Sequence, residues 1–383
     1  MTLKNFNKKS KKLIIYSSVP VFDTWPKKFK LAQLKNYGFD VEIWSTEEIF
    51  FKLENIKAAA SGSKSYLYRE LDVIKIKNFD DLEKRVASLD LNAIVVVLTL
   101  GINNNKKIKI SDLEIFNKHK IQYVLHHLIP HHYIPNLWSK LKLNLKLLKI
   151  RFQNKKKKPS LIIGTGSEGR KQVSKIYKKN FIYKSLPSYN ILWHREEPII
   201  NEKYIVYVDG AVNLSPDTAL FGLTNPNPDI KGFYKRINNV FEKIENWTNF
   251  KVIIAASGKY DYEINPFKNR DIIYKKTANL IQHSKLVLGH NSSGVDQAII
   301  DFKPLLLFKD KGFIESKNKI IHKIARVYGL NSIWTDQLTK TNFKKNIQVN
   351  QSNNKKIVKK YFKEDNITGT FVENFVSALH EIQ

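Results

Sequence analysis

Short, continuously apolar runs recur along this chain, each followed by a stretch of helical spacing, and this alternation restricts the fold more than any other feature. Leu13–Ser17, Val41–Trp44, Ala93–Leu98, Gln122–His126 and Leu161–Ile163 read as strands, with Pro26–Tyr37, stopped by Gly38, as the first of the intervening helices. The valine run in Ala93–Leu98 lacks polar alternation, so both of its faces must be covered. A parallel sheet between helix layers does that, and regular strand–helix alternation is its sequence signature. Beyond Leu186–Lys203, which carries Pro187, Pro198 and Arg195-Glu196-Glu197 with little periodicity, a second such series begins. Its strands are Tyr204–Val208, Lys251–Ala255, Leu286–Gly289 and Leu305–Phe308; its helices are Gly232–Trp247, Thr277–His283 and Ser293–Ile300, with a last helical pattern from Phe371 to Ile382.

The expected fold class is therefore α/β, with two Rossmann-like domains whose parallel sheets face a cleft. A chain of 383 residues exceeds one comfortable hydrophobic core, which also argues for two domains. Residues 1–186 form the first, 187–203 the linker, and 204–383 the second with the C-terminal helices.

Charge and composition narrow the partners. The formal net charge of +30 draws the protein toward phosphorylated small molecules, an anionic leaflet or nucleic acid. No RNA-recognition, zinc-finger or helix-turn-helix signature accompanies the charge, so nucleic acid is not expected as a partner. The absence of cysteine excludes disulfides, cysteine-ligated zinc, iron–sulfur clusters and thiol catalysis. Leu13 to Tyr16, after the basic N-terminal residues, is too short an apolar run for a signal peptide, and Leu91–Ile102 is too short to span a bilayer. A cytoplasmic location is the expectation.

Residues 137–158 interleave nine Lys or Arg with leucines and end in Lys155–Lys158. Two readings stand: peripheral docking on an anionic inner-membrane surface, or an ordinary solvated helix and loop.

Four loops carry candidate chemistry. Gly289-His290-Asn291-Ser292-Ser293-Gly294 joins a strand to a helix at the edge where open α/β sheets bind ligands. Small hydroxyl residues and unpaired N–H groups there suit a phosphate, although Ser292 or Ser293 could equally serve as a plain N-cap. Asp209-Gly210 ends the first strand of the second domain, where a carboxylate could deprotonate or simply bind an acceptor hydroxyl. Asp217, near Pro216, follows on the same loop. Ser257-Gly258-Lys259 ends the next strand; Lys259, Arg270 or Lys275 could neutralise a phosphate. Gly164-Thr165-Gly166-Ser167-Glu168-Gly169 matches the dinucleotide fingerprint G-x-G-x-x-G, yet no acidic residue follows the next strand, Phe181–Lys184, to hold a ribose. A strand-to-helix turn is the alternative. His126, His127, His131 and His132 occur as adjacent pairs that cannot all reach one centre, so no metal is expected, although His126 or His127 could line the cleft.

The stretch Tyr204 to Phe308 resembles a glycosyltransferase family of bacterial O-antigen and capsule gene clusters with the GT-B fold. The similarity lies in YIVYVDGAVNLSPD, in FYKRINNVFEKIE and in the run from Val252 through KKTANLIQHSKLVLGHNSSG to Phe308. The matched positions are Asp209, Pro216, Asp217, Lys259 (for Arg), Lys276, Thr277, His290, Ser292, Ser293 and Pro304. Gly210 stands where that family has an acidic residue, Ser215 replaces its first His, and Ser257-Gly258 replaces its His-Pro. Ser292-Ser293 is also similar to the Ser-Ser element of bacterial sialyltransferases.

This resemblance implies transfer of a sugar from a nucleotide-activated donor, with a CMP-linked acidic sugar as one candidate, to a glycan or lipid-linked acceptor of surface polysaccharide. It implies Asp209 and His290 as catalytic residues, and Asn291, Ser292, Ser293, Gly294, Lys259 and Thr277 at the donor. The nucleotide-sugar is then a substrate, and neither metal nor cofactor is expected. The missing histidines leave a second possibility open: a non-catalytic glycan- or nucleotide-binding member of a polysaccharide-assembly complex.

Overall fold

The structure is a computed structural model describing residues 11–21, 30–61, 73–99, 110–127, 159–164, 166–168, 181–183, 197–210, 216–256, 260–292, 294–362 and 371–380. Two all-parallel sheets organise it. The first has seven strands in the order β3-β2-β1-β4-β5-β6-β7: β1 (Lys11–Ser17), β2 (Phe39–Ser45), β3 (Val73–Lys75), β4 (Ile94–Thr99), β5 (Gln122–His127), β6 (Leu161–Gly164) and β7 (Phe181–Tyr183). The second has six in the order β10-β9-β8-β11-β12-β13: β8 (Tyr204–Val208), β9 (Lys251–Ala256), β10 (Ile272–Tyr274), β11 (Leu286–Gly289), β12 (Leu305–Lys309) and β13 (Ser332–Trp334). This is the expected architecture of two Rossmann-like α/β domains.

Chain order reverses direction beside the first strand of each sheet, between β1 and β4 and between β8 and β11. Open α/β sheets bind ligands at such switch points, outside the carboxyl ends of the strands. All five residues of β8 are buried, which explains why its sequence shows no alternation.

The helices follow from spacing and caps. In the first domain, α1 (Leu31–Asn36), α2 (Glu47–Phe50), α3 (Leu53–Ser61), α4 (Phe79–Ala87) and α5 (Ile110–Lys118) alternate with the strands. In the second, α6 (Pro216–Leu220) precedes α7 (Ile230–Thr248), whose Asp229 side chain accepts the Gly232 N–H at 3.0 Å. Helix α7 buries Phe233, Ile237, Val240, Phe241 and Ile244 along one stripe and ends at Asn249 in the left-handed region, φ 57°. After it come α8 (Thr277–His283), α9 (Val295–Ile300), α10 (Glu315–Val327), α11 (Lys340–Asn346), α12 (Gln351–Tyr361) and α13 (Phe371–His380).

One expectation needs amending. Assigning all of residues 204–383 to the second domain fails at α6 and α13. Leu220 and the α13 residues Val372, Phe375, Val376, Ala378 and Leu379 belong to the core that contains Leu13, Ile15 and Val96 of the first sheet. The Phe51 and Phe221 rings meet edge to face at 5.3 Å, and Asn55 Nδ2 donates to the Leu220 carbonyl at 3.4 Å. Conversely, Glu197 and Ile199 of the linker are tied to Asn279 on α8.

Gly166, within the dinucleotide-like motif, adopts φ +60°, and a Cβ there would collide with the Lys360 carbonyl and come within 2.6 Å of the Tyr361 Cα. Its backbone thus lies against the end of α12, an approach that only glycine permits. Thr165 and Gly169 lie outside the described residues, as do 137–158, His131 and His132. His126 and His127 fall at the carboxyl end of β5. Among the described residues, no helix is long and apolar enough to cross a membrane, and no group of three His, Cys, Asp or Glu could hold a metal ion.

Candidate active site

The sequence singled out loops at the ends of β8 and β11, and the structure brings these two together. Val208 pairs with Gly289, so Asp209-Gly210 and His290–Gly294 leave neighbouring strands at the switch point. A Cβ on Gly210 would stand 3.5 Å from Ser292 Cβ. A Cβ on Gly294 would stand 2.9 Å from Val208 Cγ1, 3.2 Å from Thr277 Cγ2 and 3.6 Å from Ser292 Oγ. Asp209, Ser292, Gly294 and Thr277 therefore share one edge, and glycine at 294 is what lets β8, α8 and the β11 loop close up.

Asp209 is 4% exposed, and its backbone N–H donates to the Ala255 carbonyl at 3.1 Å. Asn291 and Ser292 are half-buried, and Ser292 Oγ accepts the Gly294 N–H at 3.3 Å. Helix α9 begins at Val295 rather than at Ser293, with Gly294 as a cap that offers no side chain. Helix α8 begins at Thr277, as expected. Ser293 and Lys259 lie outside the described residues. Asp217 falls in the first turn of α6, on the segment that reaches the first domain.

His290, a catalytic residue by the family resemblance, packs inward. It is 2% exposed, enclosed by the rings of Tyr207, Phe233, Phe308 and Phe313. A carbonyl oxygen can only accept, so the 2.7 Å contact between His290 Nδ1 and the Phe308 oxygen places the ring proton on Nδ1. Burial lowers the imidazole pKa to about 4, so the ring is neutral at pH 7 and Nε2 carries a lone pair that meets no polar partner among the described residues. With its one N–H committed to Phe308, His290 has no proton to offer a phosphate. It fixes the base of the loop that carries Ser292.

Arg270, a candidate phosphate ligand, is also committed. Its guanidinium donates to Glu245 Oε1 at 3.0 Å and Oε2 at 2.5 Å, and to Asn238 Oδ1 at 3.0 Å.

Three groups escaped the sequence reading. Tyr262 donates to Asp209 Oδ2 at 2.7 Å. Asp310, fully buried after β12, accepts from Arg236 Nε at 3.0 Å and Nη2 at 2.6 Å and from the Gly312 N–H at 2.7 Å, and it also accepts the Thr335 hydroxyl. Lys317, in the first turn of α10, lies over the Phe313 ring, and burial lowers its pKa to about 8. Of these, only Tyr262 had a local signal: it lies in the segment that carries the family resemblance.

No established protein family matches the chain, and no curated protein resembles it in sequence. Solved structures do resemble it in shape. The UDP-GlcNAc 2-epimerase of Methanocaldococcus jannaschii, in complex with UDP-GlcNAc and UDP, aligns with a TM-score of 0.50 at 13% identity, over 97% of this chain and 99% of its own. The calicheamicin glycosyltransferase CalG4 aligns with a TM-score of 0.50 at 11% identity, over 97% and 95%. At such identity the likeness is one of fold: the chain has the paired Rossmann-like, GT-B-like architecture that these proteins share.

Proposed function

We propose that the protein is a glycosyltransferase, moving a sugar from a nucleotide-activated donor to a glycan or lipid-linked acceptor. The observation that carries this reading is the convergence of Asp209-Gly210, Ser292, Gly294 and Thr277 at the switch point of the second sheet. Small hydroxyl side chains and loop N–H groups there suit the donor phosphates, with Asn291, Ser293 and Lys259 completing the donor loops. Asp209 is the carboxylate that deprotonates or binds the acceptor hydroxyl. His290 supports the loop, and the first domain receives the acceptor at the ends of β1 and β5. The reaction runs without metal or cofactor, because hydrogen-bond donors and cationic side chains stabilise the departing phosphate.

The family resemblance extends the proposal to a cytoplasmic enzyme of surface-polysaccharide assembly, with a CMP-linked acidic sugar as one candidate donor and residues 137–158 resting on an anionic leaflet. A non-catalytic glycan- or nucleotide-binding role is the second reading, favoured by one observation: the ring N–H of His290 is spent on Phe308.

A thermal-shift screen tests the assignment. CMP or UDP should raise the melting temperature of the wild type and fail to do so for Ser292→Ala/Ser293→Ala. Stabilisation by NAD alone, or a double variant that responds like wild type, would sink the site. Nucleotide binding with glycan capture but no turnover would favour the second reading. A nucleotide-sugar returned as its epimer, with no acceptor modified, would exclude transfer.

A further inference from the structure

Asp209 stands at the end of a two-tyrosine relay. The Tyr262 hydroxyl, on the segment after β9, donates to Asp209 Oδ2 at 2.7 Å, and the Tyr234 hydroxyl on α7 donates to the Tyr262 oxygen at 3.3 Å. Burial first, and the nearby Asp209 charge with it, raises the pKa of both phenols far above their usual range, so both keep their protons. A protonated phenol facing a carboxylate donates to it, which gives this relay one direction: Tyr234 to Tyr262 to Asp209. The support behind it is tight. The Tyr262 N–H donates to the Tyr274 hydroxyl of β10 at 2.9 Å, and the Tyr262 ring packs edge-on against Phe267 at 5.4 Å and Tyr260 at 5.2 Å.

We infer that Tyr262, backed by Tyr234, is a positioning residue that keeps the Asp209 carboxylate ionised and in one orientation toward the acceptor hydroxyl, an inference that rests on the transferase reading above. In that step the bond between the anomeric carbon and the donor phosphate breaks, and the nucleotide leaves with the electron pair. The acceptor oxygen bonds to the anomeric carbon, and its proton passes to Asp209. A donor hydrogen bond to the carboxylate favours its charged form and limits its rotation, so it sets the pH at which the base becomes available. Among the described residues, the titratable groups coupled to Asp209 besides Tyr262 are Tyr207 on β8 and Tyr234 on α7, with Tyr260 after β9 acting on Tyr234 and Asp310 after β12 acting on Tyr207; His290, just beyond the adjacent strand, is neutral.

Tyr262→Phe removes the donor and keeps the ring; Tyr234→Phe removes only its support. Transfer is measured against pH for both variants, for Asp209→Asn and for wild type, alongside a carbon-13 NMR titration of the Asp209 carboxyl. The acid limb of kcat/KM and the carboxyl titration should both move up by about one pH unit in Tyr262→Phe, and less in Tyr234→Phe. kcat should fall about tenfold in Tyr262→Phe, while nucleotide-induced thermal stabilisation stays at the wild-type level. Asp209→Asn should lose the limb. Profiles and titrations that superimpose for wild type and Tyr262→Phe overturn the inference and leave the transferase reading standing. A shifted titration in a protein that transfers no sugar overturns the transferase reading, and with it the role toward an acceptor, but not the Tyr262–Asp209 bond.

Discussion

The Nδ1–H of His290 donates to the carbonyl oxygen of Phe308 at 2.7 Å, a side-chain bond across the ends of two adjacent strands, and burial inside a ring of aromatics keeps the imidazole neutral. Burial carries its pKa down from 6.5 to about 4. Above pH 6.5 both folded and unfolded states hold this histidine neutral, and it adds no pH dependence. As pH falls from there toward 4, the unfolded chain takes up the proton and the folded one does not, so stability is lost. The full effect is about 3 kcal/mol. Thermal melts between pH 4 and 7 should therefore fall less steeply for His290→Phe than for wild type.

Gly294 marks a close approach of three elements in the candidate donor site. Gly294→Ala should cost about 1–3 kcal/mol, because the new methyl group would meet Val208 Cγ1 at 2.9 Å and Thr277 Cγ2 at 3.2 Å. Gly210→Ala, whose methyl would find Ser292 Cβ at an ordinary 3.5 Å, should melt near the wild-type temperature. Adding Val208→Ala to Gly294→Ala should return part of the loss, and urea denaturation of the variants checks all three statements.

The Arg236–Asp310 pair ties α7 to the end of β12 with a fully buried carboxylate. Arg236→Met should destabilise by about 3–5 kcal/mol, since removing one partner leaves a buried charge uncompensated. Asp310→Asn should cost less, because its amide oxygen can still accept the Gly312 N–H, its NH2 group can donate to the Thr335 hydroxyl, and Arg236 keeps its second carboxylate partner, Asp229. The order of the two denaturation midpoints is the measurement; the reverse order would show that Asp310 is not held as a charged partner of Arg236.

Gly166→Ala separates the two readings of the G-x-G-x-x-G motif. Its φ of +60° and its approach to Lys360 and Tyr361 should make the alanine variant clearly less stable, by at least about 1 kcal/mol. NAD should not alter the melting temperature of the wild type. A tolerated alanine together with NAD stabilisation would restore the dinucleotide reading.

The long buried strands were legible in the sequence because runs such as Tyr204–Val208 are apolar on both faces. Three of the four edge strands, β3, β10 and β13, were not: each is three residues long and mostly half-exposed, too short to present any period. The donor loops could be placed because they follow legible strands. What happens around them could not, since the partners come from far along the chain. Asp310 meets Arg236 from 74 residues away, and Tyr262 meets Asp209 from 53. Nor did His290 betray its burial, because its aromatic enclosure is assembled from β8, α7, β12 and the segment after β12. The docking of α13 on the first core had no local signal either, as its apolar stripe would fit either sheet.

That last helix changes how the molecule can be cut. The chain builds the first core between Leu13 and Leu161, returns to it at Leu220–Phe221, and returns again from Val372. A fragment ending at residue 203 would lack the lid of its own interior, and one beginning there would carry orphaned apolar side chains from α6 and α13. Neither half should fold on its own. Complementation by two separately expressed halves should succeed only if the first is supplied with the segment from residue 371 onward.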